Sequence, residues 1–254
     1  MKLALLSDIH ANSRALDACL AHAAALGVQR LALLGDLVGY GGEPAQVMQT
    51  VMTLASQGAV VLQGNHDALA VSPPAAVNTD ADAGAQWTHD QLSAAQRQFL
   101  ARLPLTHSEG TLLLVHASVD APERWRYVNN ERAAAASLDA AVLPPYGNAQ
   151  VRHVFGGHVH QQTLYYRGSG RSLMSFLPTP GVSIPTPRHR SWIATIGSVG
   201  QPRDGRTEAM YAVFDTEAMQ LTFYRVPYNH QAAADSIRAA GLPEFFAQRL
   251  ETGH

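Results

Sequence analysis

Carboxylate, amide and imidazole side chains follow directly on five separate apolar runs of the sequence. They are Asp8, His10, Asp36, Asn65, His66, His116, His158 and His160. Oxygen and imidazole ligands without a thiolate suit Mn²⁺, Fe, Zn²⁺, Co²⁺ or Ni²⁺ better than a structural zinc or calcium site. The set is larger than one tetrahedral ion uses. Two ions about 3.5–4 Å apart that share one carboxylate would use the whole set. Such a pair of ions stabilises the attacking and the leaving oxygen when a phosphoryl group is displaced.

The apolar runs must be strands if these side chains are to meet. The runs cover residues 2–6, 30–34, 59–62, 111–115 and 151–155. Helices are predicted after the first two runs, one capped by Asn12 or Ser13 and ending at Gly27, the other opening at Pro44. This alternation of strand and helix predicts a mainly parallel sheet. The carboxyl ends of parallel strands form the ligand crevice of such a sheet, so we expect the polar endings to converge.

The first run ends in a pair of potential ligands two residues apart. Side chains at this spacing point to the same side of a strand. If the extended backbone continues through Ile9, Asp8 and His10 can reach one point.

The rest of the chain supplies covering helices and further strands. Residues 79–103 predict two helices with capping-box pairs, residues 131–143 predict another, and two short helices are expected around 241–243. Strands are predicted at 163–167 and 171–176, forming a hairpin around 168–170, and at 191–196, 209–214 and 220–226. Residues 178–190 contain four of the 14 prolines and are predicted to be a loop. No repeat or flexible linker interrupts the sequence, so we expect one domain over 1–254.

Composition argues against several classes of protein. The chain is 46% hydrophobic with a formal charge of -2, and its apolar runs are far shorter than the roughly 20 residues of a membrane helix. Only four apolar residues lie between Lys2 and Ser7, too few for the core of a signal peptide. The single cysteine, Cys19, suits a reducing compartment. We therefore expect a soluble cytoplasmic protein without a membrane partner or a strong nucleic-acid signal. The oligomeric state stays open.

The motifs around the polar endings resemble those of a known family. They are Ser-Asp-Ile-His at 7–10, Gly-Asp at 35–36, Gly-Asn-His-Asp at 64–67, His116 and Gly-His-Val-His at 157–160. In this order they resemble the calcineurin-like metallophosphoesterases, in particular the small bacterial phosphodiesterase-like members, as does the stretch at 197–203. The resemblance covers nearly the whole chain. It implies an α/β fold built as a four-layer α/β/β/α sandwich with two mixed β-sheets.

The resemblance also implies a role for each site residue. Asp8, His10 and His160 would bind one divalent ion, Asn65, His116 and His158 would bind the other, and Asp36 would bridge them, with His66 as the acid and Asp67 orienting it. Mn²⁺ is the favoured metal. Ala11, Ala117 and Val159 depart from residues common in relatives, which leaves every ligand in place but makes substrate preference unsafe to transfer.

These parts predict a metal-dependent phosphoesterase. A hydroxide held between two cations would attack phosphorus, and His66 would protonate the leaving oxygen. A phosphodiester or nucleotide is the expected substrate. The alternatives are a phosphomonoesterase or protein phosphatase, and a non-catalytic metal-binding scaffold.

Further residues could line the substrate pocket. Tyr40 and Arg203 are candidate substrate contacts, and Trp125 and Tyr127 could form a pocket wall or part of a solvated loop.

Overall fold

Two six-stranded sheets form the centre of the molecule in the computed structural model, which describes residues 1–168 and 172–254. The strands are β1 (Lys2–Leu6), β2 (Arg30–Leu33), β3 (Val60–Val61), β4 (Thr106–Glu109), β5 (Leu112–Val115), β6 (His153–Gly156), β7 (Gln162–Arg167), β8 (Leu173–Phe176), β9 (Ser183–Pro185), β10 (Ser191–Ile196), β11 (Ala209–Asp215) and β12 (Gln220–Val226). The helices are α1 (Ser13–Ala25), α2 (Pro44–Ser56), α3 (Asn65–Val71), α4 (Asp80–Gln91), α5 (Ala94–Ala101), α6 (Glu131–Ala141), α7 (His230–Ala239) and α8 (Glu244–Thr252).

Both sheets are mixed. The first has the order β3-β2-β1-β11-β12-β9 and the second the order β4-β5-β6-β10-β7-β8. In the first, β1 pairs parallel with β2 and antiparallel with β11. In the second, β6 pairs parallel with both β5 and β10. The parallel pairing that the alternation predicted is therefore limited to three strands of each sheet, β1, β2 and β3 in the first and β5, β6 and β10 in the second. The two mixed sheets that the resemblance implied are confirmed.

Strand periodicity explains how the sheets stack with the helices. Successive side chains of a strand point to opposite faces. Leu3 and Leu5 accordingly join the buried cluster between the sheets, whereas Ala4 and Leu6 join the cluster under α1 and α2. On the far side, α6 covers the outer face of the second sheet through Leu138 and its neighbours. The order of layers is helix, sheet, sheet, helix, as expected.

Two strands differ from the sequence predictions. Residues 183–185, predicted to lie in a loop, form β9, which pairs with β12 at the edge of the first sheet. An edge strand tolerates proline because one side of its backbone needs no ladder partner. The unpredicted β4 pairs antiparallel with β5. The predicted hairpin is present as the antiparallel pair β7 and β8, and residues 169–171 of its turn lie outside the described residues.

The C-terminal helices pack beside the ligand-bearing edge of the sandwich. α7 and α8 share a buried cluster that includes Ile237, Phe246 and Leu250, and Tyr40 packs against it. Within the described parts of the chain, no helix combines the length and apolar character needed to cross a membrane.

Candidate metal centre

Loops at the strand ends of both sheets converge at one edge of the sandwich. Asp8 and His10 follow β1, Asp36 follows β2, and Asn65 opens the helix after β3. From the second sheet, His116 follows β5, and His158 and His160 follow β6. The predicted convergence is therefore present, but it joins two sheets rather than one.

The ligand loops turn sharply instead of extending. Asp8, His10, Asp36, His158 and His160 all have positive φ, between 49° and 66°. This left-handed conformation is uncommon for residues other than glycine and clusters at functional sites. The prediction that an extended backbone brings Asp8 and His10 together is thus wrong, because β1 ends at Leu6 and the following loop folds back. The two side chains still converge.

One group of side chains gathers around Asp8. Ligand atoms of Asp8, His10, Asp36 and His160 all lie within 4.8 Å of one another. His160 Nε2 lies 3.2 Å from Asp8 Oδ1 and 3.1 Å from His10 Nε2. His10 Nε2 lies 3.7 Å from Asp36 Oδ2. This is a buried set of oxygen and nitrogen donors directed at one point.

A second group shares Asp36 with the first. It joins Asp36, His116 and His158. His116 Nε2 lies 3.4 Å from Asp36 Oδ2, 3.2 Å from His158 Nδ1 and 3.2 Å from Asn65 Oδ1. Asp36 is the carboxylate common to both groups.

Backbone carbonyls orient three of the rings. His10 Nδ1 lies 3.3 Å from Val38 O, and His116 Nδ1 lies 2.9 Å from Leu34 O. His160 Nδ1 lies 2.6 Å from the carbonyl of Gln201. A carbonyl can only accept, so Nδ1 carries a hydrogen and Nε2 faces the site, where the neutral ring offers its lone pair as metal-binding histidines require.

The electrostatics of the centre favour bound cations. Asp8 Oδ1 is buried without a hydrogen-bond partner. Burial opposes ionisation of Asp8, but the neighbouring His160 and His116 outweigh it and lower its pKa. Burial disfavours a charged His116 ring, yet Asp36 and Asp8 outweigh it and raise the pKa of His116 to about 9. An orphaned carboxylate oxygen among aligned imidazoles fits divalent metal ions.

His66 lies beside the ligand groups without belonging to either. Its partly exposed ring makes an edge contact with His10 at 5.0 Å and lies 4.3 Å from the Tyr40 ring, both measured between centroids. Burial lowers its pKa. This position leaves the imidazole free to exchange a proton with a bound molecule.

Asp67 does not pair with the His66 ring as predicted. Asp67 Oδ1 accepts hydrogen bonds from the backbone N–H groups of Leu37 and Val38, and Oδ2 accepts one from Gly64. The reason is local, because Asp67 is the third residue of α3 and its carboxylate reaches back to the backbone N–H of Gly64, the N-cap residue. Burial and the nearby Asp36 raise the pKa of Asp67 to about 7. Asp67 therefore braces the loops after β2 and β3.

Tyr40 and two arginines form one wall of the centre. The Tyr40 ring lies 4.8 Å from the His10 ring, and the guanidinium carbons of Arg203 and Arg249 lie 5.7 and 5.9 Å from the Tyr40 centroid. The predicted Tyr40 and Arg203 are thus both at the site. Arg249 and the carbonyl of Gln201 were missed. Arg249 is an ordinary helix residue, and any residue type supplies a carbonyl, so neither carries a local signal.

An apolar cleft of about 520 Å³ opens against the second group. Leu69, Trp125 and Tyr127 line it together with Asn65 and His158. Tyr127 stacks on His158 with ring centroids 4.1 Å apart. From the sequence, Trp125 and Tyr127 could belong either to a pocket wall or to a solvated loop. The structure places them in the wall of this cleft.

Comparisons with known proteins agree with this architecture. Residues 1–219 match the family model of the calcineurin-like phosphoesterase superfamily domain. The chain is 32% identical in sequence to a metallophosphoesterase from Sphaerobacter thermophilus. The crystal structure of that protein superposes with a TM-score of 0.85, covering 100% of this chain and 99% of that one. It is 29% identical to an uncharacterized protein of Methanocaldococcus jannaschii over 99% of this chain and 98% of the relative. A hypothetical protein from Pyrococcus horikoshii, 19% identical with a TM-score of 0.78 over 100% and 98% of the two chains, shares the fold. The chain belongs to the calcineurin-like phosphoesterase superfamily.

Proposed function

We propose that the protein is a dinuclear metal-dependent phosphoesterase that hydrolyses a phosphodiester or nucleotide. Family membership supports phosphoester hydrolysis in general. The observation that carries the finer proposal is Asp36, whose carboxylate belongs to both groups of potential ligands. A carboxylate in this position holds two cations close enough to act on one phosphoryl group.

The residues divide the work as follows. Asp8, His10 and His160 would hold one ion, Asn65, His116 and His158 would hold the other, and Asp36 would be shared between them. When bound, the ions lower the pKa of a water molecule toward about 7 and neutralise charge on the phosphoryl oxygens. His66 donates a proton to the leaving oxygen, and Tyr40 supports its ring. Asp67 holds the loops that carry Asp36 and Asn65 in register.

The apolar cleft supports an ester that carries an organic group next to the second group of ligands. Trp125 and Tyr127 offer aromatic surface beside the second group of ligands. A nucleobase or another flat ring stacks on such surface. This feature favours a phosphodiester or nucleotide over a small phosphorylated metabolite.

Three further proposals complete this reading. Mn²⁺ is the favoured metal, and Fe, Zn²⁺, Co²⁺ and Ni²⁺ also suit imidazole and carboxylate donors without thiolates. The protein works in the cytoplasm, where its single cysteine stays reduced. Residues 1–254 form one domain, supported by the packing of α7 and α8 against Tyr40.

Metal content and turnover test the proposal together. The purified protein, loaded with Mn²⁺ and freed of excess metal, should contain two ions per chain by elemental analysis. It should hydrolyse an aryl phosphodiester faster than the matching aryl monoester, and a chelator should abolish both rates. A protein with one ion per chain, or with two ions and no activity on a broad phosphoester panel, would contradict the proposal. The second result would favour the scaffold.

A further inference from the structure

Two arginines at the site lack a carboxylate partner. Seven other arginines of the described residues form ion pairs with Asp or Glu: Arg14, Arg30, Arg126, Arg167, Arg206, Arg225 and Arg238. Within the same residues, the other nine arginines form none, and two of these nine, Arg203 and Arg249, lie beside Tyr40 at the site. The Arg203 guanidinium donates only to Gln201 Oε1, at 3.2 Å from Nε and 2.7 Å from one terminal nitrogen. Burial and the charge of Arg203 lower the pKa of Arg249.

Tyr40 places both arginines beside the first group of ligands. Its ring contacts the rings of His10 and His66 on the catalytic side and that of Phe246 from α8. Both guanidinium groups lie within 6 Å of this ring, a distance at which cation–π attraction holds them. The backbone of Tyr40 has a φ of 64°. An aromatic residue in this unfavourable conformation indicates a position constrained by its surroundings.

The two arginines come from segments that dock on each other. The Arg203 N–H donates to the His160 carbonyl, which ties Arg203 to a ligand loop. At the end of α8, the Gly253 carbonyl accepts a hydrogen bond from Gly205 N–H at 2.8 Å. Arg249 lies beyond the residues 1–219 that match the family model. The C-terminal helix thus adds a cation to the centre from outside the matched part of the chain.

Charge balance assigns these arginines to a second anion. Two divalent ions would carry four positive charges, and Asp8 and Asp36 supply two negative ones. The remaining two positive charges match one doubly charged phosphoryl group, or a singly charged phosphodiester together with the hydroxide that attacks it. The guanidinium groups of Arg203 and Arg249 add two positive charges that no described carboxylate within 4 Å neutralises. Guanidinium binds phosphate and carboxylate groups through paired hydrogen bonds.

We propose that Arg203 and Arg249 form, across Tyr40, a subsite for a second anionic group next to the scissile phosphate. This inference rests on the proposed function and narrows the substrate class to a phosphoester that carries another phosphate or a carboxylate close to the reacting phosphorus. Nucleotides with more than one phosphate belong to this class.

Binding of non-hydrolysable probes tests the subsite. Methylphosphonate, methylenediphosphonate and phosphonoacetate would be titrated calorimetrically into the Mn²⁺-loaded protein at a fixed free Mn²⁺ concentration. Hydrogen bonds to charged groups predict that one two-anion probe binds about ten- to hundredfold more tightly than methylphosphonate. The tighter of methylenediphosphonate and phosphonoacetate identifies the second group as phosphate or carboxylate.

Substitutions then assign the effect to the arginines. Arg203→Gln and Arg249→Gln should each lower the affinity for the preferred two-anion probe about tenfold or more. The affinity for methylphosphonate should stay within about threefold of the wild-type value. Arg206→Gln is the matched control, because Arg206 lies in the same loop but pairs with Glu208. Arg249→Lys is a second variant in case Arg249→Gln disturbs α8. Because lysine keeps the positive charge, Arg249→Lys should lower the affinity for the two-anion probe less than Arg249→Gln does.

Two results would overturn the subsite. One is equal affinity of the wild type for all three probes, and the other is an equal loss for all three in the variants. If either result were obtained and the protein still hydrolysed an aryl diester, the proposed phosphoesterase function would remain supported. Tight two-anion binding without any hydrolysis would instead support the subsite and count against the enzyme.

Discussion

Replacing His66 with alanine separates proton donation from metal binding. The ring lies outside both ligand groups and contacts His10 and Tyr40 only through ring packing. We therefore expect His66→Ala to retain both ions. Because the ring is partly exposed, its removal should cost no more than about 1–2 kcal/mol of unfolding free energy.

The expected loss of activity depends on the leaving group. A general acid contributes about 10²- to 10⁴-fold, or roughly 2.7–5.5 kcal/mol of transition-state stabilisation. An alkoxide leaving group needs its proton, so turnover of an alkyl phosphodiester should fall by that factor. A nitrophenolate leaves without a proton, so turnover of a nitrophenyl diester should fall only a few-fold.

The assay compares kcat on both substrates with metal content measured on the same samples. His189→Ala is the matched control, since His189 is exposed in the proline-rich segment 178–190 and should change neither rate. Full activity of His66→Ala on the alkyl substrate would refute the acid role. An equal loss on both substrates would show that His66 positions the phosphate, and loss of an ion would show that it supports a metal site.

Three further perturbations test the centre. Asp36→Asn should hold fewer than two ions per chain after dialysis, because both groups lose their shared anion; elemental analysis showing two retained ions would refute bridging. In Gly157→Ala, the new Cβ would overlap Ser7 Oγ and Asp8 Oδ2. Thermal unfolding should therefore show a lower Tm than for Gly168→Ala, whose Cβ would meet no atom of the described residues within 4 Å; equal Tm values would contradict this packing. The pKa of His116 is raised from 6.5 to about 9, so the stability from its charged ring should be complete below pH 6.5 and disappear as the pH rises through about 9 in metal-free protein. Thermal melts across this range should show that fall, and melts with Mn²⁺ should not, since a bound imidazole is neutral.

The strand ends and helix caps could be predicted from local sequence. Apolar runs that stop at a polar residue reveal a buried strand wherever they occur, and the first runs predicted β1, β2 and β3 in order. The capping pairs Thr79 with Asp82 and Ser93 with Gln96 are present at the starts of α4 and α5. These features depend on residues a few positions apart, which is why local reasoning found them.

Edge strands were harder to predict. β9 contains an exposed proline, and β4 has two exposed residues among its four, so neither shows the apolar run of a buried strand. Both exist because a neighbouring strand offers hydrogen-bond partners. The carbonyl of Thr186, just after β9, also lies 2.8 Å from His153 Nε2 inside the second sheet.

By itself the sequence determined which residues can bind metal and that they end buried strands, because side-chain type and periodicity depend only on residues a few positions apart. Tertiary structure alone decided that the strand ends of two sheets meet, and that Asp36 lies between two groups of donors. It also directed the Asp67 carboxylate to backbone N–H groups instead of His66 and brought Arg249 from the C-terminal helix to Tyr40. These outcomes depend on which faces pack together across distant parts of the chain, and no local pattern encodes that choice.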